Sequence, residues 1–143
     1  MKKPLKKKSE SSLKGQVLWI AKAWPADVSV CFVPNEKKWQ ELLKTDYNIT
    51  DEPYPTSDAQ VTTLQKDKEQ HCLVTITDCN GREQNEVIGL LAHEATHCWQ
   101  KIRDWMKEKE PGIEFEAYTV GWITQNLLAC FQQSRGDKLK CVN

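Results

Sequence analysis

Leu90-Leu91-Ala92-His93-Glu94-Ala95-Thr96-His97-Cys98-Trp99 is the stretch whose reading decides the fold. Its two histidines stand four residues apart in a run with helical periodicity, so on a helix they lie one turn apart on one face. Two imidazoles so placed can reach a single zinc ion, with Zn–N bonds of about 2.1 Å. Glu94 follows the first histidine directly, and from there its carboxylate can reach a water held at the metal and act as its general base. The whole chain has three histidines, and this stretch uses two of them. Val87, Leu90, Leu91, Ala95, Trp99 and Ile102 make the helix apolar enough to be a central element rather than a surface one.

Working outward, Asn85 is placed to cap this helix, with Glu86 at its positive end. Asn80-Gly81 marks a turn before it. Ala59–Gln65 and Gln70–Asp78 read as two strands of a hairpin, joined by the charged, exposed Lys66-Asp67-Lys68-Glu69. In the second strand Cys72, Val74 and Ile76 point one way and Leu73, Thr75 and Thr77 the other. Tyr47–Asp58, with Pro53 and Pro55, reads as a loop. Before it, Val28–Val33 alternates and is rich in β-branched residues, which predicts a strand. Asn35 then caps a helix over Glu36–Lys44 that turns Trp39, Leu42 and Leu43 to one side. Val17–Ala23 is a short apolar segment, strand or helix, that ends before Pro25. On the far side of the motif, the helix ends between Ile102 and Glu110, and Pro111-Gly112 stops it. A second long helix is predicted over Ile113–Ser134, closed by Gly136. The order predicts an α+β fold: a small antiparallel or mixed sheet packed on the central motif helix, followed by a second long helix.

With 143 residues, 39% of them apolar and six of them tryptophan, the chain can bury one substantial core. The reading is a lysine-rich disordered arm over residues 1–14 and a single domain over 15–143. No apolar run reaches the roughly 18 residues of a membrane span, and no apolar stretch of signal-peptide type follows the first lysines. This predicts a cytoplasmic protein without a membrane partner. The net charge is zero, yet Lys2, Lys3, Lys6, Lys7 and Lys8 put +5 into the first eight residues and leave −5 for the rest. Such an arm can be drawn to nucleic acid, but no aromatic residue is interleaved with the lysines, so a solubilising arm is the better reading. The six cysteines, Cys31, Cys72, Cys79, Cys98, Cys130 and Cys141, form no Cys-x-x-Cys pair and read as free thiols. Cys98 lies about 100° round the helix from His97 and should not share the metal.

A catalytic zinc takes three protein ligands and keeps one position open. Downstream, Ile113-Glu114-Phe115-Glu116-Ala117-Tyr118 offers two carboxylates. Glu116 shares a helical stripe with Val120, Ile123 and Leu127, whereas Glu114 shares one with Tyr118, Gly121 and Gln125. Helical phase therefore favours Glu116 as the inward-facing ligand, since a carboxylate aimed into an apolar face needs a partner. The geometry sets a condition: the motif helix must end near Ile102–Met106, or the two helices must cross steeply. Gly89 and Gly121 could mark close crossing points. His71, on the strand before the motif, could face the cleft and steady an oxyanion.

His93-Glu94-Ala95-Thr96-His97-Cys98-Trp99-Gln100, followed by Glu114-Phe115-Glu116-Ala117-Tyr118, resembles small metallopeptidase-like proteins of phages and prophages, and more broadly minimal gluzincins. The resemblance covers roughly residues 70–130. It implies His93, His97 and Glu116 as zinc ligands and Glu94 as general base. It implies a zincin-like fold with an edge strand along the cleft, here within Gln70–Asp78. The Asn-Glu-x-x-Ser-Asp form of the thermolysin-type third-ligand helix is absent. The expected activity is zinc-dependent hydrolysis of a peptide or protein substrate. The alternative is a catalytically silent protein on the same scaffold that sequesters a host or phage partner, in the host cytoplasm if phage-encoded.

Overall fold

In the computed structural model, which describes residues 13–136 and Leu139, the predicted apolar alternations become a four-stranded mixed sheet. Its strands are β1 (Leu18–Trp19), β2 (Val28–Phe32), β3 (Ala59–Lys66) and β4 (Glu69–Ile76), in the order β1-β2-β4-β3. β1 runs antiparallel to β2, β2 parallel to β4, and β3 antiparallel to β4. The β3–β4 hairpin forms where it was predicted, with Asp67 of the charged connection at a positive φ of 55°. The chain is thus α+β, with one parallel pair created because α1 and β3 intervene between β2 and β4.

The two faces of the sheet collect different residues, as a period of two requires. Val28, Val30, Phe32, Cys72, Val74 and Ile76 face one side, and Cys31, Val33 and Leu73 the other. The second face is covered by α1 (Glu36–Tyr47), through Trp39 and Leu43. Asn35 caps α1 as expected, its side-chain oxygen accepting the Lys38 N–H at 2.9 Å. The first face is covered by α2 (Gln84–Met106), which buries Val87, Leu91, Ala95, Cys98, Trp99 and Ile102. Against α2 packs α3 (Ile113–Ser134), through Ile123, Leu127, Cys130 and Phe131.

Two local expectations are corrected. Asn85 is not the cap of α2: the helix starts at Gln84, and Glu83 occupies the cap position with no side-chain bond. Gly89 and Gly121 are not crossing points either. A methyl group added at either would meet nothing within 4 Å, so the α2–α3 contact is made elsewhere. Gly81, in contrast, is needed for its backbone, since it turns the chain into α2 with a φ of 86°.

The lysine arm lies, through residue 12, outside the described residues, as does Cys141. The other five cysteines are free and buried. Among the described residues no helix is long and apolar enough to cross a membrane.

Candidate active site

α2 follows directly from its sequence. Its buried positions recur every three or four residues, and that leaves His93, Thr96, His97 and Gln100 on the exposed face. Glu94 sits at the seam between the two faces and is only 4% exposed. The histidine rings meet edge to face, with centroids 4.7 Å apart, and their Nε2 atoms converge to 3.1 Å. Two nitrogens on one tetrahedral zinc, each about 2.1 Å from it, would stand about 3.4 Å apart. The pair is therefore already close to the spacing a shared metal needs. His97 Nδ1 lies 2.9 Å from Gln100 Oε1. An amide oxygen only accepts, so the ring proton belongs on Nδ1, and Nε2 keeps its lone pair for a metal.

Glu94 faces the sheet. Its carboxylate accepts the backbone N–H of Val61 in β3. Burial raises its pKa, a tendency resisted by His93, His97 and that N–H. Between α2 and β3 lies a cavity of about 410 Å³, lined by Ala59, Gln60, Val61 and Thr63 on the strand and by His93, Glu94, His97, Gln100 and Lys101 on the helix. Among the described residues β3 is the outer strand and pairs with β4 alone, which leaves its other edge open along this cleft.

Other expected participants lie elsewhere. The edge strand expected within Gln70–Asp78 is instead an interior strand, since β4 is flanked by β2 and β3. The position beside the cleft belongs to β3. His71 is on the sheet face toward α1, where the Tyr47 hydroxyl lies 2.5 Å from its Nδ1 and Glu69 Oε1 lies 3.5 Å from its Nε2. It does not line the cleft, and so is not placed to steady an oxyanion there. Cys98, as expected, turns away from the histidines. It is fully buried, and its hydrogen bond to Cys72, together with burial, holds its thiol well above the ordinary range.

Glu114 and Glu116 are both exposed in the first turn of α3. Glu116 does lie on the stripe of Ile123 and Leu127, but α3 becomes buried only from Thr119, one turn later. α2 also continues nine residues past His97, roughly 13 Å of helix, before the chain turns back. The expectation that Glu116 points into the core is thus corrected. Among the described residues no group of three His, Cys, Asp or Glu side chains is placed to hold a metal. The donor set fits zinc at two positions, His93 and His97, and leaves the third protein position unfilled.

The sequence reading missed the Val61 N–H, Thr63, Gln100 and Lys101. The last two carried a usable signal, standing three and four residues after His97 and so on the same side of the helix. The strand residues carried none. Comparison with protein-family models, with curated proteins and with solved structures returned no match.

Proposed function

We propose that this chain is a zinc-dependent peptide hydrolase of minimal zincin-like architecture. One observation carries the reading: a converging His93–His97 pair and a buried carboxylate, Glu94, both line a cleft along the open edge of β3. His93 and His97 would hold the ion, which when bound supplies Lewis-acid chemistry to the scissile carbonyl and the attacking water. Glu94 takes a proton from that water and returns it to the leaving amine. Burial favours this exchange by bringing the carboxyl closer to the pH at which it must both accept and give up a proton. The Val61 N–H holds the carboxylate in place between strand and helix. The open edge of β3 takes the substrate as an added strand, through main-chain hydrogen bonds. His97 is oriented for its role by Gln100.

The test is turnover of a peptide library by zinc-loaded protein beside Glu94→Gln. Loss of hydrolysis with zinc binding retained is the expected result. Full activity in Glu94→Gln would refute the mechanism.

A second reading is a silent protein on this scaffold that sequesters a partner, its two histidines having no third His, Cys, Asp or Glu donor placed with them among the described residues. It predicts bound metal with no turnover on any peptide.

A further inference from the structure

The lining of the cleft is polar apart from Ala59 and Val61, so it offers no apolar pocket to reward a large aliphatic or aromatic side chain. Its charged residues are Glu94 and Lys101. The Glu94 carboxylate is engaged by the Val61 N–H. Lys101 is exposed and forms no ion pair with any described residue. It stands one helical turn after His97, so its ammonium group projects from the same side of α2 as the histidine pair.

The cleft lining bounds where Lys101 stands. Cys98 hydrogen-bonds Cys72, Cys72 hydrogen-bonds the Thr63 side chain, and Thr63 pairs with Cys72 in the sheet register. Cys98 therefore lies opposite Thr63, and Lys101, three residues on, lines the same cleft, whose strand lining runs from Ala59 to Thr63. The Glu94 carboxylate accepts the Val61 N–H, so Thr63 and Val61 mark the two places along the strand. Those two strand positions are about 6.8 Å apart, at ~3.4 Å per residue. A peptide added along β3 with its scissile bond at Glu94 passes Lys101 within two residues of that bond.

We infer that Lys101 is a specificity-determining residue, which selects peptides carrying an aspartate or glutamate side chain within two residues of the scissile bond. This rests on the peptide-hydrolase reading and names its substrate class. A substrate carboxylate gives the unpaired ammonium its partner, and the peptide excludes water from the bond it makes. A hydrogen bond between charged groups in that setting corresponds to roughly tenfold in affinity.

The test uses the full chain and matched peptides that differ only in carrying Glu, Gln or Lys at these positions. Cleavage is measured for wild type, Lys101→Ala and Lys101→Glu, and binding of the same peptides is measured on Glu94→Gln with and without Lys101→Glu. The expected result is about tenfold higher kcat/KM and about tenfold tighter binding for the Glu peptide, lost in Lys101→Ala and reversed toward Lys-bearing peptides in Lys101→Glu. Cleavage with no Glu preference, or a preference that survives Lys101→Glu, overturns the inference and leaves the hydrolase reading standing. Charge-selective binding without cleavage of any peptide overturns the hydrolase reading and retains Lys101 as the carboxylate-binding residue. Neither cleavage nor binding overturns both.

Discussion

Zinc should raise the melting temperature of this protein, and the size of the rise follows from its length and its histidine pair. A ligand that binds only the folded state stabilises it by about 2.7 kcal/mol at one hundred times its Kd. Unfolding entropy of roughly 2.1 cal/mol/K per residue over 143 residues comes to about 0.3 kcal/mol/K. The expected rise in Tm is therefore about 9 °C. His93→Ala or His97→Ala leaves a single imidazole and should abolish it, because the convergence of the two Nε2 atoms at 3.1 Å is what creates the site. Glu116→Ala should leave the rise intact, since that carboxylate is exposed in the first turn of α3. The assay is scanning calorimetry of metal-free protein against a series of zinc concentrations. No rise in the wild type at saturating zinc, or a rise that survives both histidine variants, refutes the reasoning. Loss of the rise in Glu116→Ala refutes the placement of the first turn of α3 and restores Glu116 as the third ligand.

Other outcomes follow from single contacts. Asn35→Ala removes the oxygen that accepts the Lys38 N–H and should lower stability by about 1 kcal/mol, read from the urea midpoint. Leu91→Ala empties a fully buried position between sheet and motif helix, and should cost about 3–5 kcal/mol on the same measurement. Burial lowers the pKa of His71, so the unfolded chain takes up a proton at higher pH than the folded one. Stability should consequently fall as pH drops below about 6.5, the ordinary histidine value, and His71→Gln should flatten that part of the profile in urea titrations. Cys31, Cys72, Cys79, Cys98 and Cys130 are all buried, so a thiol reagent followed by peptide mapping should label them only after denaturant is added.

Much of the candidate site could be read without coordinates because its chemistry is local. The i, i+4 spacing of His93 and His97 is enough to bring their rings together once a helix forms, and the flanking Leu91, Ala95 and Ile102 ensure that it forms against a core. The hairpin of β3 and β4, the Asn35 cap and the extent of α3 were also legible, since each is written in neighbouring residues. Glu116 shares a helical stripe with Ile123 and Leu127, but its exposure was not legible. Phase says which way a residue points, whereas burial depends on what lies opposite it. Phe115 in the first turn of α3 meets Trp99 of α2 with ring centroids 5.6 Å apart, yet Glu116 beside it stays exposed and burial begins only at Thr119.

The sequence by itself therefore determined the α+β class, the motif helix, the convergence of its two histidines and the position of Glu94 between them. These depend on helical geometry, which repeats within four residues. Tertiary structure alone decided that β3 rather than β4 borders the cleft, because the parallel pairing of β2 with β4 places β4 inside the sheet. It decided that His71 faces α1, that the Val61 N–H holds Glu94, and that Lys101 and Thr63 line one cleft. Each depends on strands and helices far apart in the chain coming into register, and their register is set by burial on both faces of the sheet rather than by any local pattern.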